Sequence, residues 1–229
     1  MTTTATTTPV RTAEAEDDQC VVLRDIGWEG YSRLLRIRGE RNVPRLVYLD
    51  GSALLMSPSY PHEHSKERLG RFVTEVVRWL KIPCDPAGST TFRRRARRGG
   101  AEGDLSYYLA NEALIRGKKR INLRVDPPPD LVIEVVETHP ADAAIEVYRR
   151  LRVPEVWICG RDEFKILVLR GRRYVQVDHS ATFPFLTADE IFAWVRRPET
   201  GSENHWLDDL YHWVLEVLVP RVRQPEGGA

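Results

Sequence analysis

No stretch of this 229-residue chain approaches the ~18 consecutive apolar residues that a membrane-spanning helix requires. The expectation is a soluble protein with no membrane partner. The opening residues, Met1-Thr2-Thr3-Thr4-Ala5-Thr6-Thr7-Thr8-Pro9, lack both the charged and the apolar regions of a secretory leader. There are only three cysteines, Cys20, Cys84 and Cys159, odd in number and unevenly spaced. That argues against a disulfide framework and for a reducing compartment, so a cytoplasmic location is expected. Neither sign of charge dominates. With 34 Lys plus Arg against 33 Asp plus Glu, the chain has no global nucleic-acid signature, and any basic surface must be local. No cluster of His and Cys suggests a zinc site.

The length, with 42% hydrophobic residues, suffices for one well-buried domain of the larger sort. Residues 1–19 are Thr-rich and then acidic, with almost no large apolar side chains, and are expected to be disordered. The folded domain is expected over 20–198, beginning near Val21, with a helical extension and short tail over 199–229. Residues 46–56 read as a β-hairpin around Asp50-Gly51, the favoured tight-turn dipeptide. A helix of about five turns follows Pro61, with Leu69, Phe72, Val73, Val76, Val77 and Leu80 on one stripe. At 100° per residue His62 falls on that stripe, Lys66 at its edge and Glu63 on its flank. Residues 141–151 read as a short helix and 153–159 as a buried strand. A second hairpin turns at Gly171-Arg172, and Thr187-Ala188-Asp189-Glu190 is a capping box that opens a helix through Val195. Residues 206–219 are apolar on nearly all sides, which suits a core helix or a subunit contact. The surplus of Trp, Leu, Tyr and Val there predicts a homodimer through 206–219. Strand–helix–strand units mixed with hairpins indicate an α/β fold with a mixed sheet flanked by helices.

The most informative residues are two acids in apolar surroundings. Asp104 lies in Ala101-Glu102-Gly103-Asp104-Leu105-Ser106-Tyr107-Tyr108-Leu109, and Glu134 in Pro129-Asp130-Leu131-Val132-Ile133-Glu134-Val135-Val136. Each run reads as a strand covered on both faces, where a carboxylate is costly unless paired or holding a metal. Alternation puts Asp130 and Glu134 on one face about 13 Å apart, too far to share an ion. Glu134, in mid-strand, is the better ligand candidate, and Asp130 suits the start of the strand. Glu102, Asp104 and Ser106 are expected to point the same way. Oxygen donors without His or Cys suit Mg²⁺ or Mn²⁺ rather than Zn²⁺. The alternative, equally open on spacing alone, is that both acids are ion-paired structural residues.

A set of motifs extends this reading. Tyr48-Leu49-Asp50-Gly51, Met56-Ser57-Pro58-Ser59, His62-Glu63, Gly88-Ser89-Thr90-Thr91, Glu102-Gly103-Asp104, Pro128-Pro129-Asp130-Leu131-Val132-Ile133-Glu134-Val135 and Tyr148 with Val153-Pro154-Glu155-Val156-Trp157 occur in order. Over about residues 28–195 this set resembles a bacterial restriction-endonuclease-like family, long known as a domain of unknown function, within the PD-(D/E)XK nuclease superfamily. The resemblance implies a restriction-endonuclease-like core, DNA as partner, Mg²⁺ held by Asp104 and Glu134, and Glu63 as an outer acid. It departs from the family at two points. Gly103 stands where the family usually has proline. The catalytic lysine, expected two residues after Glu134 or, in this family, four before the tyrosine matching Tyr148, is replaced by Val136 and Ala144.

Lys66 is the nearest substitute cation in the sequence, against the plainer reading of a lysine snorkelling at the stripe's edge. His62 and Glu63 could equally serve the helix terminus, by a hydrogen bond or through the helix dipole. The one dense basic run, Arg93, Arg94, Arg95, Arg97 and Arg98, stands just before the Asp104 strand. It is either a phosphate-binding surface or a solvated loop. The expected activity is metal-dependent hydrolysis of DNA phosphodiester bonds. The alternative is a weakened relative that binds nucleic acid or a partner without cutting.

Overall fold

The structure is a computed structural model that describes residues 17–137, 141–198 and 201–223. The disorder expected for residues 1–16, and the tail at 224–229, lie outside the described residues. The fold starts a little earlier than Val21. Asp18 is buried and Gln19 already belongs to β1 (Gln19–Leu23).

Helix α1 (Gly27–Arg38) follows, then the expected hairpin of β2 (Arg45–Leu49) and β3 (Ser52–Ser57). Its turn places Asp50 at φ 48° and Gly51 at φ 103°, the left-handed pair that a two-residue hairpin needs and that Asp-Gly tolerates. Helix α2 (Tyr60–Leu80) is capped by Ser59, whose hydroxyl accepts from the His62 backbone N–H, and it buries the predicted stripe of Leu69, Phe72, Val73 and Val76. Next come β4 (Asp85–Pro86), β5 (Thr91–Arg94), β6 (Gly99–Glu102), β7 (Leu105–Tyr108) and the short α3 (Glu112–Ile115). Strand β8 (Leu131–Val136), α4 (Asp142–Leu151) and β9 (Glu155–Gly160) form a strand–helix–strand unit, with β8 and β9 parallel. The second hairpin is β10 (Phe164–Arg170) and β11 (Arg173–Val177), and the Thr187 capping box opens α5 (Ala188–Val195). The chain ends in α6 (Glu203–Trp213), a π-helical turn at Val214–Leu218 and α7 (Val219–Arg223).

The strands form two sheets rather than the one expected. An antiparallel sheet has the order β1-β3-β2-β6-β5, and a mixed sheet has the order β11-β10-β9-β8-β7-β4. The division falls inside the run that carries Asp104. Glu102 ends β6 in the first sheet and Leu105 begins β7 in the second. Glu102 and Asp104 therefore do not share a strand face as alternation predicted, because the chain changes sheets at Gly103-Asp104. Gly103 makes the passage possible. A Cβ there would lie 2.6 Å from Val132 Cγ1 and 3.2 Å from the Tyr148 hydroxyl, so no side chain fits without displacement.

Strand β8 is buried on both faces, as its apolar run implies. Leu131, Ile133 and Val135 pack toward α2 and the C-terminal helices, and Val132 packs with Val147, Tyr148 and Leu151 of α4. Asp130 fixes the start of the strand by accepting from the Leu109 and Asn111 backbone N–H groups at 2.7 and 2.9 Å. Within the 206–219 segment, Trp206, Leu210, Val214, Leu218 and Val219 are buried in the same cluster as Phe72 and Trp194. The inner side of the segment thus fits the core-helix alternative, while Val217 stays exposed. Arg68 of α2 holds this region by donating to the carbonyls of Val195 and Arg197 at 3.2 and 2.9 Å. Among the described residues no helix is long and apolar enough to cross a membrane.

The Gly103 passage sets a first expectation. Gly103→Ala should lower the stability by about 1–3 kcal/mol, the usual range for an inserted methyl in a packed core, as read from the midpoint of chemical denaturation. An unchanged midpoint would mean that Val132 and Tyr148 yield freely and that the crossing does not depend on glycine.

Candidate active site

Asp104 is fully buried, and its carboxylate needs partners to be tolerated there. Three elements supply them. From β8, the Val135 backbone N–H donates to Asp104 Oδ2 at 2.6 Å. From α2, His62 Nε2 lies 2.9 Å from Oδ1. From β2, the Arg45 guanidinium pairs with the same Oδ1. The register that sets Leu105 opposite Ile133 continues, one residue before β7, toward Asp104 and Glu134.

Glu134 is also buried, and the Tyr148 hydroxyl of α4 donates to its Oε1. Burial pushes the Glu134 carboxyl up to about 7, against the Tyr148 hydrogen bond and the Arg45 charge, which both favour the ionised form. The Tyr148 hydroxyl is in turn pushed well above its ordinary value, first by burial and then by the Glu134 carboxylate.

His62, completely buried at the first turn of α2, bridges two carboxylates: its Nδ1 lies 3.1 Å from Asp18 Oδ2. Asp18 also accepts from the Ser59 backbone N–H at 2.8 Å. Burial opposes ionisation of Asp18, but the hydrogen bonds from His62 and Ser59 outweigh it and hold the carboxyl below its usual range. Glu63 is half-buried at the rim, accepting from Arg45 Nη2 and from Lys66 Nζ, each at 2.8 Å. Lys66 therefore ends on Glu63, one step removed from Asp104. Arg45 is the inner cation, only 4% exposed, with Asp104, Glu63 and His62 around its guanidinium.

A cavity of about 50 Å³ opens beside this group, lined among others by Arg45, Glu134, Val135 and Ala144. Ala144 thus faces the site from α4, where the resemblance expects a lysine, and Arg45 reaches the same cavity from β2. Glu102 also lines this cavity, from β6, but its carboxylate is already engaged. It accepts from the Leu46 backbone N–H at 3.0 Å and from the side chains of Arg38 and Thr91, locking α1 and β5 to β2. The arginine run lies on β5 and the 3-10 turn at Arg95–Arg97, outside this cavity.

The structure thus brings Asp104, Glu134, His62 and Glu63 together, with Lys66 in a second ring. Arg45 and Asp18 were not read from the sequence. Arg45 opens an apolar strand two residues before Val47 on the same face, a periodicity signal that could have pointed it at the site. Asp18, in an acidic stretch preceding the first strand, carried none.

Arg45 and Asp104 generate a coupled expectation. Arg45→Met leaves a buried carboxylate uncompensated and should destabilise by about 3–5 kcal/mol, whereas the same change in an Asp104→Asn background should cost markedly less. Strictly additive denaturation midpoints across the four proteins would rule out the pair as described.

Among the solved structures similar to this chain is that of a putative nuclease of DUF820 from Anabaena variabilis. It shares 15% sequence identity and a TM-score of 0.52 over 70% of this chain and 96% of that one. At that identity the likeness speaks to the fold, a restriction-endonuclease-like α/β core. No curated protein matches the chain. Residues 28–200 match the family described as "Putative restriction endonuclease", Uma2, and the chain belongs to that family.

Proposed function

We propose that the protein is a metal-dependent endonuclease acting on DNA through Asp104 and Glu134. The observation that carries this is two buried carboxylates, Asp104 just before β7 and Glu134 in the paired strand β8, beside a cavity and a buried guanidinium. Among the described residues, no three of His, Cys, Asp and Glu gather so as to hold a metal ion. An oxygen-only pair still fits Mg²⁺ or Mn²⁺ in kind, because Mg²⁺ is commonly held by one or two carboxylates, with waters and substrate phosphates completing the shell. Asp104 and Glu134 are the residues that would hold it. A divalent ion supplies polarisation of the phosphoryl oxygen and a lowered pKa for bound water.

The remaining chemistry belongs to the chain. Val135 N–H and His62 orient Asp104, and Tyr148 orients Glu134. Arg45 places a permanent charge beside both carboxylates, where negative charge develops on a phosphorane. It answers the absence of lysine at Ala144, and Lys66, engaged with Glu63, does not. Free Cys20, Cys84 and Cys159 support a reducing, cytoplasmic setting.

A second reading has its own support. No cation projects from α4 at Ala144, so a protein that binds DNA and cuts poorly also suits the geometry. Calorimetric Mn²⁺ titration and plasmid nicking separate the two. Wild type should bind Mn²⁺ and nick, and Asp104→Ala should do neither. Arg45→Gln should lower nicking by roughly 10²-fold at a temperature where circular dichroism shows it folded. Arg45→Lys should retain most of the rate, and Lys66→Ala nearly all of it. Mn²⁺ binding without nicking, with a gain on the order of 10²-fold in Ala144→Lys, would favour the second reading over the first.

A further inference from the structure

At the β5 edge of the first sheet lies an open groove of about 680 Å³, lined by Trp28 and Ser32 of α1, Arg93 and Arg94 of β5, Arg95 and Ala96 of the turn after it, and Asn122 and Arg124 of the loop before β8. It shares no lining residue with the active-site cavity. Arg45 and Val47 line that cavity, whereas Leu46 and Tyr48 pack with Tyr31 beneath α1.

The arginines nearby divide into two groups. Arg95 pairs with Glu29 at 3.2 Å and Arg98 with Asp50 at 3.1 Å. The side chains of Arg93, Arg94 and Arg124 pair with no carboxylate among the described residues. Three uncompensated guanidiniums around one groove, with the Ser32 hydroxyl and the Asn122 amide as further donors, are suited to successive phosphodiester groups.

The groove's position relates it to the chemistry. β5 is the edge of its sheet, and Arg93 pairs with Gly100 across β6, a strand spacing of about 4.8 Å. The four residues from Gly100 to Asp104 span at most about 14 Å. A duplex rises about 3.4 Å per base pair, so the groove lies within about six base pairs of Asp104, less than one helical turn.

We infer that the groove holds the phosphate backbone of duplex DNA flanking the scissile bond, through Arg93, Arg94 and Arg124. The inference rests on the reading of DNA as substrate. It narrows the basic run to the two arginines left unpaired by acids in the groove and adds Arg124, distant in sequence.

The test uses the full chain, a labelled 20-base-pair duplex and EDTA, with anisotropy measured from 50 to 300 mM KCl. Each phosphate contact contributes about 0.9 to the slope of log K against log salt. Arg93→Gln/Arg94→Gln/Arg124→Gln should therefore flatten the slope by about 3 and weaken binding by on the order of tenfold or more at 100 mM salt, with Mn²⁺ affinity unchanged. The control is Arg170→Gln/Arg172→Gln/Arg173→Gln, on the hairpin at the far edge of the second sheet. Wild-type affinity and slope in the groove variant, or an equal loss in the control, overturn the groove and leave the nuclease reading intact. A wild type that binds the duplex yet never nicks with Mn²⁺ sinks the hydrolysis reading, while the groove is decided by the variant comparison. No binding of wild type at 50 mM KCl overturns both.

Discussion

A carboxylate with no solvent exposure, at the point where the chain leaves one sheet for another, is the constraint on which the rest of this structure depends. Ionised Asp104 could not persist there alone, since an unpaired charge in an apolar interior is prohibitively unfavourable. Its partners come from β2, α2 and β8, and satisfying it therefore fixes the first sheet, the long helix and the second sheet to one another. The crossing at Gly103 brings Asp104 within reach of all three, because the backbone passes against Val132 and the Tyr148 hydroxyl. Fold and site are thus one arrangement.

The same group has a charge balance that bears on chemistry. Arg45 stands among Asp104, Glu63 and His62, and His62 between Asp104 and Asp18. Networks of this kind are more favourable as a whole than their pairs, and removing one member strands the others. As a contribution to stability a buried ion pair is commonly no better than apolar packing, which makes a purely structural account of four acids, an arginine and a histidine in one region uneconomical. Glu134 differs from Asp104 in kind. It receives one neutral hydrogen bond from Tyr148, and burial lifts its carboxyl to about 7. A buried carboxyl lifted toward neutrality beside a cationic cluster is the kind of arrangement that acid–base and metal chemistry use.

Much of this was legible in the sequence, for identifiable reasons. The α2 stripe, the Asp50-Gly51 hairpin and the Thr187 capping box are local patterns, governed by residues a few positions apart, and each appears where periodicity and turn chemistry put it. The double burial of β8 followed from its unbroken apolar run. The misreadings share a cause in long-range geometry. A continuous strand from 101 to 109 was the natural reading of its pattern, and only the close approach of Val132 and Tyr148 makes Gly103 the place where the chain changes sheets. Glu102 accordingly sits on the other sheet, where it holds Arg38 of α1 while still lining the cavity. Likewise, the inner side of 206–219 meets Phe72 and Trp194, partners too distant in sequence for any local pattern to name. Asp18 could not be found at all, since its role depends on Ser59 and His62, some forty residues away.

The place of the cation draws these points together. A phosphoryl-transfer site needs positive charge at a position in space, and the backbone from which it extends is immaterial so long as the charged end is held. Alignment by motif looks for lysine on the β8 strand or the α4 helix and finds Val136 and Ala144. The cavity that Ala144 lines is the one that Arg45 enters from the opposite sheet. A planar guanidinium can pair with Asp104 and Glu63 at once, whereas an ammonium offers a compact point charge, so a cation arriving from β2 suits a cluster with two separated acids. On the nuclease reading proposed above, Arg45 of β2 takes the part that the resemblance gives to a lysine at Ala144, and the crossing that buries Asp104 is what brings that guanidinium to the cavity.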